Sequence, residues 1–117
     1  MDADYLKNES DIIFKNALFV LGTIISTPTP SRAVCDAGLK ALSVDSGLPE
    51  VYALPNVIYQ TASDEHGTLQ TNGVGLELGS KVMLVPGHCD PTVNMHDWLV
   101  PIRDCEVQTS WPVARAR

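Results

Sequence analysis

The sequence predicts a mainly β fold with minor α content, in the form of a barrel or sandwich of short strands. Runs rich in Val, Ile, Thr and Tyr recur along the chain, and Gly- and Pro-containing turns separate them at short intervals. Of the 117 residues, 44% are hydrophobic and 19% are charged, which is typical of a packed domain. We therefore expect one domain spanning residues 1–117.

The first half of the chain contains two expected strands. Residues 12–25 are apolar, and Gly22 followed by the β-branched Thr23, Ile24 and Ile25 favours a strand for the second half of this stretch. Pro28 and Pro30 exclude a helix and predict an extended link. A second strand over 33–37, a single helical turn over 39–42 and a turn at 46–49 follow.

The second half contains a predicted hairpin, with strands over 57–62 and 68–71 around the turn at 63–67. A turn at 78–80 precedes a short apolar strand over 81–85, which Pro86-Gly87 ends. A loop then carries residues 88–96. A last pair of strands, 98–102 and 105–112, flanks Arg103-Asp104, and we expect Trp98 and Trp111 to lie in the core.

Charge and cysteine content exclude several classes of function. The net charge is −6 and the eight Lys and Arg are scattered, so we expect no binding to nucleic acid and none to a membrane surface. The three cysteines are an odd number with no CxxC motif, which favours free thiols. Signal-peptide features are lacking, and the apolar stretch 17–25 is too short to span a bilayer. We expect a soluble, cytoplasmic protein.

His88 and Asp90 form the pattern most suggestive of chemistry. Residues two apart in extended backbone project to the same face, so an imidazole nitrogen and a carboxylate can hold one divalent cation. Pro86 and Pro91 stiffen the backbone on either side. The alternative is that both side chains only form hydrogen bonds in a loop, because two ligands do not complete a metal site.

Several ordered blocks resemble one enzyme family. The segment PGHCDPTVNMHD (86–97) resembles the metal-binding signature of D-threonine aldolases, and further similar blocks are MDADY (1–5), the stretch 25–43, DEHG (64–67) and WPVA (111–114). The chain thus resembles the C-terminal β-domain of the D-threonine aldolase / D-serine dehydratase family, which are pyridoxal-phosphate enzymes with an alanine-racemase-like (fold type III) structure. The dehydratases have a cysteine where Asp90 stands. A thiolate selects zinc and a carboxylate suits manganese or magnesium, so Asp90 favours the aldolase branch.

The resemblance implies a function and a ligand set. His88 and Asp90 become the expected metal ligands, for manganese, magnesium or zinc. The family reaction is the retro-aldol cleavage of a D-3-hydroxy-amino acid to glycine and an aldehyde, with the metal acting as a Lewis acid on the substrate hydroxyl. Three further candidates are His66 in the predicted turn and His96 and Asp97 after the loop, as active-site groups or groups that orient the ligands. A plain hairpin turn and a solvated loop are the alternatives.

Pyridoxal phosphate is expected only through a barrel domain that this sequence lacks. The four lysines are Lys7, Lys15, Lys40 and Lys81, and none matches the family's Schiff-base motif. We therefore expect no cofactor-binding residue here, no activity of the chain alone, and a fragment, split-gene product or truncation whose full-length form is a homodimer or associates with a barrel chain. A D-serine-dehydratase-type lyase domain and a non-catalytic β-module that binds a partner chain are the alternatives.

One deviation from the family pattern concerns a turn. Cys105 stands where the family has the glycine of an Asp-Gly turn, a position that favours left-handed backbone geometry. We expect the substitution to strain or re-shape the last hairpin.

Overall fold

The computed structural model describes residues 1–7 and 14–115, and it confirms a mainly β fold. The start of the apolar stretch at residues 12 and 13 lies outside these ranges. A 3₁₀ turn at Tyr5–Lys7 precedes ten strands and one helix, α1. The strands are β1 (Val20–Thr29), β2 (Arg32–Cys35), β3 (Glu50–Val51), β4 (Ile58–Ala62), β5 (Gly67–Gln70), β6 (Lys81–Val85), β7 (Trp98–Leu99), β8 (Ile102–Arg103), β9 (Glu106–Val107) and β10 (Trp111–Pro112), with α1 at Cys89–Asn94.

Six strands form one antiparallel sheet in the order β3-β6-β1-β2-β5-β4. The ten-residue β1 pairs with β6 over Val20–Thr23 and with β2 from Ile24 onwards, with irregular register beyond Ile24. Bulges of this kind bend a strand and increase its twist. The two edge strands, β3 and β4, also contact each other, so the sheet is nearly closed into a barrel.

The core lies inside this curved sheet. Alternate residues of each strand point inward, and the largest fully buried apolar side chains are Ile24, Leu42, Leu69 and Leu84. Tyr59 is buried as well, and its hydroxyl donates a hydrogen bond to the Ala37 carbonyl at 2.7 Å. The Tyr59 ring covers Gly67, where a Cβ atom would lie 2.3 Å from a ring carbon.

Several expected elements are confirmed. The hairpin is formed by β4 and β5, and the apolar strand is β6, which ends before Pro86. The helical turn expected over 39–42 exists as an isolated turn, closed by the Leu42 amide on the Gly38 carbonyl at 3.2 Å. None of the helices in the described ranges is long and apolar enough to cross a membrane.

The C-terminal part differs from the prediction. Instead of one strand pair, β7 pairs with β10 and β8 with β9, and the tight turn lies at Asp104-Cys105. We call residues 98–112 the C-terminal ribbons. The expected burial of Trp98 and Trp111 is wrong, since they are 58% and 60% exposed. Aromatic size favours burial, but no second layer formed by residues 1–7 or 14–115 covers the ribbons.

Candidate metal centre

The candidate site lies directly after β6, in residues 86–90, which we call the His88 loop. The sequence predicted an open loop over 88–96, and this prediction is wrong, because α1 begins at Cys89. Asp90 and Pro91 occupy its first turn, where a carboxylate interacts favourably with the helix dipole and proline loses no helical hydrogen bond. His88 is the N-cap residue, with φ −144° and ψ 122°.

His88 and Asp90 nevertheless come together. The extended-backbone argument for their shared face is wrong, since only His88 is extended and Asp90 is helical. At this junction His88 Nε2 still lies 3.9 Å from Asp90 Oδ2. Two donor atoms that bind one cation at about 2.0–2.2 Å are separated by about 3.0–3.4 Å. The Asp90 side chain is 96% exposed, so a small rotamer change closes the difference.

The donor set is small but suits a catalytic cation. Among the described residues, no group of three or more His, Cys, Asp or Glu side chains is placed to hold a metal ion. An imidazole nitrogen and a carboxylate oxygen are both good ligands for divalent transition metals. A site with two protein ligands leaves positions for water and for substrate oxygens, as a catalytic metal requires. The residues present therefore fit a divalent cation with open coordination.

The N-terminal segment holds the His88 loop from one side. The amides of Ala3 and Asp4 donate to the carbonyls of Pro86 and Gly87 at 3.0 and 3.3 Å. The Asp2 carboxylate, 3% exposed, accepts from the amides of Cys89 at 3.0 Å and Tyr5 at 3.0 Å. Asp2 thus satisfies a helix N-terminal amide that the His88 side chain leaves free. Burial alone raises the pKa of Asp2, but these amide donors outweigh it and hold the pKa below its usual value.

The segment 43–47 holds the loop from the other side. Thr92 is fully buried, and its hydroxyl donates to the His88 carbonyl at 2.7 Å and accepts from the Ser43 amide at 3.1 Å. Gly87 allows a close approach of the two backbones, because a Cβ at this position would lie 2.2 Å from the Gly47 carbonyl oxygen. The Pro-Gly-His sequence therefore has a packing reason for its glycine.

Asp45 contacts the other nitrogen of the candidate ligand. Its Oδ2 lies 2.7 Å from His88 Nδ1, and its Oδ1 accepts from the Ser43 hydroxyl at 2.5 Å. The hydrogen bond to Asp45 raises the pKa of His88. The Ser43 hydroxyl and then His88 lower the pKa of Asp45. Asp45 was not among the residues predicted from the sequence, although it lies two residues beyond the family-like block that ends at Ser43.

The three remaining candidates make no described contact with the His88–Asp90 pair. His96 donates from Nε2 to the Ala41 carbonyl at 2.7 Å, and so fixes α1 against the segment that leads to Ser43. Asp97 pairs with Arg115. His66 is exposed in the β4–β5 turn, and the described contacts do not join it to His88 or Asp90. Their roles stay predictions.

The described residues do not fit pyridoxal phosphate. All four lysines lie on the exposed surface. Lys7 and Lys40 pair with Asp4 and Glu65, and Lys81 donates to the Thr23 hydroxyl. No described contact joins a lysine side chain to His88 or Asp90.

Comparison with known proteins agrees with this architecture. The family model "Putative serine dehydratase domain" matches residues 17–102. The chain is 49% identical to a 3-hydroxy-D-aspartate aldolase of Paracoccus denitrificans (strain Pd 1222) and 42% identical to a D-threonine aldolase of Arthrobacter sp., in both cases over 97% of this chain and 31% of the relative. A solved D-threonine aldolase from Filomicrobium marinum is 41% identical, with a TM-score of 0.89, over 96% of this chain and 31% of that one.

These relatives are longer than the present sequence, which spans about a third of their length. The similarity nevertheless covers nearly all of the sheet and the whole His88 loop. The chain therefore belongs to the serine dehydratase domain family, with D-threonine and 3-hydroxy-D-aspartate aldolases among its relatives.

Proposed function

We propose that this chain is the metal-holding domain of a D-threonine-aldolase-like lyase, with His88 and Asp90 as the protein ligands of a divalent cation. The observation that carries the proposal is the arrangement of His88, whose Nδ1 is occupied by Asp45 while Nε2 points towards the Asp90 carboxylate 3.9 Å away. Histidines that bind metals typically donate their other ring N–H to a carboxylate, as His88 Nδ1 does to Asp45.

The proposed substrate is a D-3-hydroxy-amino acid. The relatives are named for 3-hydroxy-D-aspartate and D-threonine, and both compounds carry a hydroxyl on the carbon next to Cα. A cation held by His88 and Asp90 would supply Lewis-acid stabilisation of that oxygen in a cleavage to glycine and an aldehyde. His88 and Asp90 fix where the hydroxyl binds. The exposure of Asp90 leaves that side open for the substrate.

The carboxylate of Asp90 also bears on the choice between an aldolase and a dehydratase function. A dehydratase-type reaction is the second candidate, because the matching family model is a serine dehydratase domain. A carboxylate ligand favours manganese or magnesium over zinc, and this preference supports the aldolase function. Replacing it as Asp90→Cys should raise the affinity for zinc relative to manganese by at least about tenfold, measured by competitive titration. An unchanged ratio would argue that Asp90 is not a ligand.

Metal binding by the purified chain tests the proposal. We expect titration calorimetry with manganese to show one site in the wild type and none in His88→Ala. Glu77→Ala is the matched control, because this exposed carboxylate lies in a different loop. Equal binding by the wild type and His88→Ala would overturn the proposed ligand set.

We further propose that the chain needs the rest of a longer protein for turnover. No described contact joins any of its lysines to His88 or Asp90. We expect no aldehyde from D-threonine when the chain is supplied with manganese and pyridoxal phosphate. Release of acetaldehyde at a rate above that of free cofactor would contradict this proposal.

The proposal also includes a binding partner for the C-terminal ribbons. The exposed apolar side chains of the C-terminal ribbons are suited to contact with a barrel domain or a second subunit. A chain that stays monomeric at high concentration by light scattering would contradict self-association.

We place the protein in the cytoplasm, since Cys35, Cys89 and Cys105 are all free thiols.

A further inference from the structure

We infer that Asp45 is a positioning residue of the metal site, which holds the His88 ring so that Nε2 faces the cation. The inference rests on the proposed metal site and deepens it, because it assigns a role to a residue outside the His88 loop. Asp45 follows the turn at 39–42 and is 43 residues from His88 in the sequence.

The contact defines which nitrogen carries the proton. A carboxylate only accepts hydrogen bonds, so the 2.7 Å contact from His88 Nδ1 to Asp45 Oδ2 requires a proton on Nδ1. In the neutral ring, Nε2 then presents a lone pair. This is the nitrogen that lies 3.9 Å from the Asp90 carboxylate. Asp45 therefore selects the form of His88 that can bind a cation beside Asp90.

Asp45 is itself held in place. The Ser43 hydroxyl donates to Asp45 Oδ1 at 2.5 Å and accepts from the Asp45 amide at 3.3 Å. The Ser43 amide donates to Thr92, whose hydroxyl donates to the His88 carbonyl. These bonds form a closed ring from Ser43 through Asp45 and His88 to Thr92. Both ends of the Asp45–His88 contact are thus fixed by the same buried threonine.

A simple surface ion pair is the competing explanation. The Asp45 and His88 side chains are 50% and 32% exposed, and exposed pairs contribute little to stability. A surface pair does not require a particular nitrogen, however, and it does not require a tight turn beside its partner. Here the Ser46 hydroxyl lies farther from His88 Nδ1 than the Asp45 carboxylate does, at 3.5 Å. The backbones of Gly47 and Gly87 also approach each other closely, which brings the turn that carries Asp45 against the His88 loop.

The first test measures manganese affinity of the full chain by titration calorimetry. We expect Asp45→Ala to weaken binding about 10- to 100-fold, the usual effect of removing a carboxylate that orients a metal-binding histidine. Asp45→Asn should lose less, because its amide oxygen still accepts from Nδ1. Asp64→Ala removes the same charge from an exposed turn and should bind within twofold of the wild type.

The outcomes separate the two proposals. If His88→Ala abolishes binding and Asp45→Ala binds as tightly as the wild type, the positioning role is overturned and the metal site stands. If His88→Ala also binds normally, the proposed site fails and the role of Asp45 fails with it.

A second test reads the His88 ring without metal. Nitrogen-15 NMR of the neutral imidazole should show the proton on Nδ1 in the wild type and a shift towards the Nε2-protonated form in Asp45→Ala. A role limited to folding does not move this signal. A wild-type ring protonated on Nε2 would overturn the inference directly.

Discussion

The His88 loop and the C-terminal ribbons are both built from short elements, but the molecule holds them in different ways. Buried groups on two sides fix the loop, namely Asp2 from the N-terminal segment and Thr92 from α1. The ribbons contain only two-residue strands that pair among themselves, and Trp98, Ile102, Val107 and Trp111 stay exposed. A short segment thus gains a fixed geometry from buried side chains that bond to it, whether near in the sequence, as Thr92 is, or distant, as Asp2 is. Pairing within the ribbons alone does not supply it.

The largest expected contrast comes from two truncations of similar chemistry. Leu84 is fully buried in β6, directly before the loop, whereas Val107 is 69% exposed in β9. We expect Leu84→Ala to lower the free energy of unfolding by about 2–5 kcal/mol, through lost burial and a cavity. Val107→Ala should change it by less than about 0.5 kcal/mol. Urea denaturation measures both, and similar losses would show that the ribbons share the core.

The second comparison replaces two glycines that differ in the space around their Cβ positions. Gly87→Ala places a Cβ against the Gly47 carbonyl, and we expect a loss of about 1–3 kcal/mol from the forced backbone shift. Gly75 has no atom within 4 Å of its Cβ position, so Gly75→Ala is the matched control and should be nearly neutral. Thermal unfolding compares the two. A neutral Gly87→Ala would mean that the 43–47 turn and the His88 loop are not in tight contact.

A third prediction concerns the core at alkaline pH. Burial raises the pKa of Tyr59 well above 10, and Tyr59→Phe should cost about 1 kcal/mol at neutral pH through its lost hydrogen bond. The folded state keeps the Tyr59 proton longer than the unfolded chain. This contribution is therefore complete below pH 10 and is lost as the pH rises towards the folded-state value.

Chemical denaturation between pH 8 and 11 checks the sign of this effect. Tyr59→Phe should lose less stability over this range than the wild type, and the remaining loss includes the contributions of Cys35 and Cys89, whose pKa values burial also raises. A steeper loss in the variant would contradict the account.

The smallest expected effect lies in the ribbons. Asp104 and Cys105 have positive φ angles of 51° and 64°, which confirms the left-handed turn expected where the family has glycine. Cys105→Gly should relieve about 1 kcal/mol of local strain. Because the ribbons are held apart from the sheet, we expect about fivefold slower amide exchange at Val107 and almost no change in Tm. A clear rise in Tm would show that the ribbons and the sheet unfold together.

Local sequence patterns predicted the strands of the sheet better than the local structure around the candidate metal site. The hairpin of β4 and β5 and the strand β6 followed from β-branched runs bounded by turn residues. Trp98 and Trp111 were misplaced because their burial depends on a covering surface, which no local pattern encodes. Helix α1 was missed because its six residues are too few to show helical periodicity, and its Pro91 lies in the first turn, where proline is tolerated.

The proposed metal ligands and the residues that contact them also differ in how far the sequence reveals them. His88 and Asp90 were found from the resemblance of one short segment, two residues apart. Asp45 and Asp2 contact that segment from 43 and 87 residues away, so only the fold reveals them. Asp2 lies in the family-like MDADY block and Asp45 lies just beyond another block, but neither block indicates a contact.

The central claim is that His88 and Asp90 share one cation, and crystals grown with manganese test it most directly. We expect the anomalous difference map to show one peak within about 2.2 Å of both His88 Nε2 and the Asp90 carboxylate, with Asp45 still bound to Nδ1. No peak between these two side chains at saturating manganese, or a peak held by other residues, would contradict the account.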